Sequence, residues 1–201
     1  RIVHADRLHD AVASGRGVIL ALPHVGNWEI AGLRAAAEGA RVLAVAEALP
    51  NERIVEWFTG MRATMDIDIV IARTGTSVTR TLVERLRRGG TIALLCDRDL
   101  KGTGVAVELF GEETTMPPGP AALADRTGAL LLPVGCYFEP GGRHRFDIHA
   151  PLEIPDLPTA EERVAAGTRR LARVVEEIVR MAPEQWHLVV PNWPSDREDP
   201  S

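Results

Sequence analysis

No apolar stretch in this 201-residue chain approaches the ~20 residues that a membrane-spanning helix needs. No secretory leader is expected in this stretch, because the opening "RIVHADRLHD" offers no basic region followed by an apolar run. The chain does not begin with Met and is expected to be the C-terminal part of a longer protein. Excess basic charge is also lacking. A formal net charge of −5 argues against bulk nucleic-acid binding, which requires a cationic footprint to displace counterions from phosphates. Cysteine is rare, and Cys96 and Cys136 each lie inside an apolar, strand-like run. They are expected to be two buried thiols, since a disulfide would need their strands to be neighbours. Aromatic residues make up only 4% of the chain, although four of them are Trp. No Gly-x-Ser-x-Gly elbow is present, which disfavours serine hydrolysis. Neither a Gly-x-Gly-x-x-Gly dinucleotide turn nor a phosphate-binding P-loop occurs.

What remains is an ordinary globular composition, 45% hydrophobic and 25% charged, in a length that suits one domain over residues 1–201. Short apolar runs alternate with helical patterns. "GVILALP" reads as a buried strand, followed by a helix from about Asn27 to Glu38 that ends at Gly39. "RVLAVAEA", "DIDIVIA" and "TIALLC" read as further strands. Between them lie a helix in "NERIVEWFTGMRATM", with Ile54, Phe58, Met61 and Met65 on one face, and a helix in "VTRTLVERLRR" capped by Ser77 or Thr76. "GVAVELFG" is a strand, "PPGPAALADRTG" contains a helix, and "ALLLPVGCYFE" turns at Gly141-Gly142 into "GGRHRFDIHAPLEI". The last helix runs from about Thr159 to Met181, with a stripe of Val164, Leu171, Val174, Ile178 and Met181. This order implies an α/β fold: a three-layer αβα arrangement around a mostly parallel mixed sheet, with antiparallel strands added at one side.

Ligands in such sheets bind beyond the carboxyl ends of the strands. Three polar clusters fall there: "PHVGNWE", "RTGTS" and "DRD". His24 closes the first strand, and Glu29 lies about one helical turn into the following helix. Through the Gly26 turn, the Glu29 carboxylate can reach back and fix one imidazole nitrogen, leaving the other to take a proton from a substrate hydroxyl. Glu29 equally fits a first-turn acid that favours the helix dipole. Arg73 in "RTGTS" can hold an anion together with free N–H groups, or can be a solvated residue beside a helix cap. In "CDRDL", Asp97, Arg98 and Asp99 suggest a polar network, with no histidine or further acid at convincing metal-ligand spacing. "HADRLHD" reads as surface.

Taken together, "HVGNWE", "EALPNERIVEWFTGMR", "RTGTSVTRTLVERLRRGGTIALLCDRDL", "PPGPAALADRTGALLLPVGCYF" and "PEQWHLVVPNWPSD" resemble the late lipid A acyltransferases, within the glycerolipid acyltransferase-like group. The actinobacterial phosphatidylinositol mannoside acyltransferases are the best match, notably in "QWHLVVPNW". The resemblance implies transfer of a palmitoyl-type chain from acyl-CoA to a mannose hydroxyl of a glycolipid, at the inner leaflet of the plasma membrane. It implies no cofactor beyond acyl-CoA as co-substrate, no metal, and no covalent enzyme intermediate. His24 matches the family's base and Glu29 its motif acid. Asp97 stands where the family has an acid near the histidine, so either carboxylate can be the orienting partner. Asn27, Glu47, Arg62, Arg73 and Arg98 form the expected substrate-binding set. Family members usually begin with a segment carrying a hydrophobic membrane helix, which this chain is expected to lack. Trp57, Phe58, Met61 and Met65 fit either an acyl groove or ordinary core. Arg80, Arg85, Arg87 and Arg88 fit either anionic headgroups or a solvated face. A thioesterase-like hydrolase and a non-catalytic lipid- or CoA-binding domain are the competing readings.

Overall fold

A computed structural model describes residues 1–47, 53, 57, 60, 64, 67–72, 77–100 and 102–197. Its strands are β1 (Ile2–Val3), β2 (Val18–Leu22), β3 (Val42–Glu47), β4 (Asp68–Ala72), β5 (Thr91–Leu95), β6 (Val105–Leu109), β7 (Glu112–Met116), β8 (Leu130–Glu139) and β9 (Arg143–Ile148). The helices are α1 (Ala5–Ala13), α2 (Trp28–Ala37), α3 (Val78–Arg87), α4 (Gly119–Thr127) and α5 (Ala160–Arg180). Seven strands form one sheet in the order β1-β9-β8-β2-β5-β3-β4, while β6 and β7 form a separate antiparallel hairpin. Within the sheet only β8 and β9 run antiparallel, so the mostly parallel α/β expectation holds.

The strands are apolar on both faces because helices cover both. Along β2, Ile19 and Ala21 join one buried cluster with Leu82, Val83 and Leu86 of α3, Leu123 of α4, and Leu171, Val175 and Ile178 of α5. Val18, Leu20 and Leu22 point the other way, towards Leu8 and Ala11 of α1 and Ala35 of α2. Strand alternation thus sorts one sequence run into two cores, giving three layers. Cys96 belongs to the first cluster and Cys136 to the second. The strands β5 and β8 flank β2 on opposite sides, so the two thiols stay apart and free. Burial raises both thiols above the ordinary thiol range.

The last helix starts where a capping box predicts. Thr159 Oγ1 accepts from the Glu162 amide at 3.2 Å, and Glu162 Oε2 accepts from the Thr159 amide at 3.0 Å. Its buried stripe differs at the end from the expected one. The helix stops at Arg180, Met181 is 61% exposed, and Val175 and Val179 are buried. Two elements were not read from the pattern: "HADRLHD" lies in and just before α1, whose Leu8 is buried, and "EETTM" is β7. The helix expected in "NERIVEWFTGMRATM", including Phe58, Met61 and Met65, lies largely outside the described residues. Trp57 is exposed. Arg80 pairs with Glu84 on the solvent side of α3, and Arg85 donates to the Arg41 carbonyl at 2.7 Å. No helix among the described residues is long and apolar enough to cross a membrane.

The hairpin is tied to α5 through Phe110, a non-glycine residue at φ 57°, whose amide donates to Glu176 Oε2 at 2.9 Å. That amide first, and Arg180 second, hold the Glu176 carboxyl below its ordinary value of 4.5. A depressed folded-state value means the carboxylate stabilises the fold above the unfolded value, and that this contribution fades as pH falls through the folded value. Glu176→Gln is therefore expected to flatten the loss of stability below pH 4.5, read as urea midpoints on either side of that value. An unchanged acid dependence counts against this tie.

Candidate active site

The parallel register of β2 and β5 sets Leu22 beside Leu95, so the residues two positions later, His24 and Asp97, leave the sheet side by side. The Cys96 amide donates to the Leu22 carbonyl at 3.0 Å and carries the pairing one residue further. Asp97 Oδ1 then lies 2.6 Å from His24 Nδ1, and Asp97 Oδ2 accepts the His24 backbone N–H at 2.8 Å. A third donor, Trp186 Nε1–H, reaches Oδ2 at 2.8 Å. Asp97 is fully buried, and a carboxylate so placed is tolerated because its oxygens are satisfied by N–H groups. Nδ1–H donation to Asp97 leaves Nε2 as the ring nitrogen with its lone pair directed elsewhere.

Of the two carboxylates that sequence reasoning left open, Asp97 is the one bonded to His24 Nδ1. Glu29 sits in the first turn of α2 and lines the same cavity as His24. Asn27 is the N-cap of that helix: its side-chain oxygen accepts from the Ile30 amide at 3.2 Å. Its polar group thus serves the helix start, a structural use not foreseen in its assignment to substrate binding. The N–H groups following His24 are engaged by protein and are not open to an oxyanion. Val25 donates to the Pro23 carbonyl and Gly26 to the Gln185 carbonyl.

Gly26 adopts φ +58°, and a Cβ there would lie 2.3 Å from the Cys136 carbonyl oxygen. Only glycine lets the chain turn this tightly from the end of β2 into α2. The C-terminal segment grips the same turn. Val25 pairs with Trp186 in an antiparallel bridge, and the His187 amide donates to the His24 carbonyl at 2.7 Å. The Gln185 side chain spans Phe138, accepting from its amide at 2.7 Å and donating to its carbonyl at 3.3 Å. Trp28 packs edge-on against both His24 and His187, with ring centroids 5.2 and 5.7 Å apart.

Behind the dyad, a cavity of about 710 Å³ opens beneath α2. Its wall is mainly aliphatic, with Leu20, Leu22, Ala44, Ala93, Val134 and Phe146 from the sheet. Its polar lining includes His24, Glu29, Arg98 and His187. Arg98 Nε is buried and has no hydrogen-bond partner among the described residues. Asp99 turns away to the hairpin, accepting from the Gly104 amide at 2.6 Å and the Thr115 hydroxyl at 2.8 Å. The arrangement brings an imidazole, a buried carboxylate bonded to it and a guanidinium to the edge of a mainly apolar cavity.

Of the other residues expected at the site, Glu47 ends β3, and Arg62 and Arg73 lie outside the described residues. No group of three or more His, Cys, Asp or Glu residues suited to a metal ion occurs among the described residues. Trp186, His187 and Val189 received no role from sequence pattern. The only signal for them was the dense polar and aromatic run "QWHLVVPNW" in a segment without helical or strand periodicity.

Residues 2–195 match the profile of the bacterial lipid A biosynthesis acyltransferases. The chain is 38% identical over 192 residues to a phosphatidylinositol mannoside acyltransferase of Mycobacterium tuberculosis (strain CDC 1551 / Oshkosh), covering 95% of this chain and 59% of that protein. A phosphatidylinositol mannoside acyltransferase of Mycolicibacterium smegmatis is 36% identical over 199 residues, covering 98% of this chain and 64% of that protein. The chain therefore spans about three fifths of the length of these relatives.

Gly26→Ala is expected to destabilise the protein by ~1–3 kcal/mol, because it combines a left-handed φ with a backbone clash. Urea denaturation measures this, and a stability equal to that of the unaltered protein would contradict the tight turn.

Proposed function

We infer the reaction from one premise: the chain belongs to the bacterial lipid A biosynthesis acyltransferase family. It transfers a long-chain, palmitoyl-type acyl group from acyl-CoA to a mannose hydroxyl of a phosphatidylinositol mannoside. The observation that carries this reading is the His24–Asp97 pair at the edge of a mainly aliphatic cavity. A base beside such a chamber suits a reaction joining a lipid chain to a hydroxyl. The acceptor class comes from the two mycobacterial relatives, both named as acyltransferases of that glycolipid.

His24 Nε2 removes the proton of the sugar hydroxyl as its oxygen attacks the thioester carbonyl. Asp97 keeps the proton on Nδ1 and stabilises the imidazolium that forms. The tetrahedral oxyanion is met by Arg98, whose guanidinium lines the cavity. Collapse expels the CoA thiolate, which takes the proton back from His24, and the ester is complete without a covalent enzyme intermediate or a cofactor. Glu29, Glu47, Arg62 and Arg73 serve the acceptor and its polar headgroup. The acyl chain lies under α2, against Leu20, Ala44 and Ala93. Exposed Leu95, Leu100 and Val189 also line the cavity, which favours a mouth turned to the cytoplasmic face of the plasma membrane.

His24→Ala and Asp97→Asn are each expected to lower acyl transfer by ~10²–10⁴-fold. Mass spectrometry of products after supplying palmitoyl-CoA with a set of lipid acceptors reads this. Turnover of acyl-CoA without acceptor would instead favour a thioesterase. Acylation of lipid A-type sugars alone would change the acceptor. Binding of acyl-CoA without any turnover would favour a non-catalytic domain. In a separate test, Ala44→Phe, which fills part of the chamber, is expected to shift preference towards shorter acyl-CoAs. An unchanged chain-length profile would place the acyl chain elsewhere.

A further inference from the structure

We propose that Trp186 is a positioning residue for the base: its indole N–H fixes the Asp97 carboxylate, so that the C-terminal strap carries part of the machinery of the active site. This rests on the reading of His24 as the base. The Asp97 oxygens have divided duties. Among the described residues, Oδ1 bonds only the His24 ring nitrogen, at 2.6 Å. Oδ2 is anchored twice, by the His24 backbone N–H and by Trp186 Nε1–H, each at 2.8 Å. Two anchors on one oxygen fix the carboxylate plane, and the plane fixes where Oδ1 points. Without the indole, one amide remains on Oδ2, and rotation about the side chain's last torsion is restrained only by the histidine it is meant to orient.

Trp186 is itself held from several sides. Its backbone bridges Val25, and the residues on either side of it bond the Gly26 amide and the His24 carbonyl. Its ring packs against Phe110 and Trp193, with centroids 5.7 and 5.9 Å away. Trp193 donates in turn to the Leu109 carbonyl at 3.3 Å, and Thr114 Oγ1 donates to the Asn192 carbonyl. The hairpin β6–β7 therefore holds the strap, the strap holds the indole, and the indole holds the carboxylate. The groups facing Asp97 are His24 from the turn after β2, Cys96 before it in the chain, and the Trp186 indole. Glu29 of α2, Arg98 and His187 of the strap line the adjoining cavity.

The test is steady-state kinetics with palmitoyl-CoA and a phosphatidylinositol mannoside acceptor. Trp186→Phe keeps an aromatic ring and removes the donor. It is expected to lower kcat about tenfold while leaving KM for palmitoyl-CoA within about twofold, as befits a hydrogen bond to a charged group that acts on the chemical step. Tyr137→Phe removes another buried donor, the hydroxyl that bonds the Ile178 carbonyl at 3.1 Å, and is expected to keep kcat within about twofold. A wild-type kcat in Trp186→Phe, or an equal fall in both variants, overturns the inference. If His24→Ala is inactive in the same assay, the reaction itself still stands; an active His24→Ala overturns both. Should Trp186→Phe not hold its fold, the unaltered protein carries the test through isotope-labelled tryptophan. The Trp186 Nε1–H resonance is expected to move with pH in step with the acidic limb of the measured rate. A resonance that stays in place along that limb overturns the inference.

Discussion

A single carboxylate, fully shielded from solvent, organises the centre of this protein. Asp97 accepts from a backbone amide, an imidazole and an indole that come from two distant parts of the chain. A buried charge is costly unless it is compensated, so these three donors must be in place together. Their convergence fixes the end of β2, the end of β5 and the C-terminal strap relative to one another. The glycine turn, the bridge between Val25 and Trp186, and the rings packed edge-on and tilted around Trp186 all meet that one requirement.

The sheet does the rest by register. Parallel pairing of β2 with β5 brings "LPH" and "LCD" to the same height, because Leu22 and Leu95 are partners. A histidine and an aspartate 73 positions apart in sequence become neighbours without any loop having to reach. The same alternation that drives Leu20 and Leu22 away from α3, α4 and α5 makes them the wall of the cavity. Strand geometry thus provides both the polar pair and the apolar space beside it.

Much of this was legible from local pattern. Apolar runs bounded by Gly, Pro and polar clusters marked the strands, and two of the clusters after them, "PHVGNWE" and "DRD", hold the paired His24 and Asp97. The start of the last helix at Thr159 and the Gly141-Gly142 turn were readable because their chemistry is local. What escaped was non-local. His-x4-Glu spacing pointed to Glu29, and Asp97, kept open beside it through the family resemblance, lies after the neighbouring strand with no sequence proximity to decide between them. The role of Trp186 depends on a segment without periodicity that folds back over the sheet. "EETTM" lacked the apolar alternation of the other strands because half of its hairpin faces solvent. The Met181 end of the expected stripe failed because the helix stops one residue earlier.

The Gln185 side chain has a consequence of a different kind. β8 pairs with β2 only as far as Pro133, yet it continues to Glu139. Beyond Pro133, no strand among the described residues pairs with the margin turned away from β9, and the Gln185 amide takes up the Phe138 N–H and C=O as another peptide would. An unpaired strand margin is a template for another chain. The strap therefore protects solubility: a molecule whose tail has peeled away would offer β8 to its neighbours, and self-association would follow from loosening a segment that contains no strand of the main sheet.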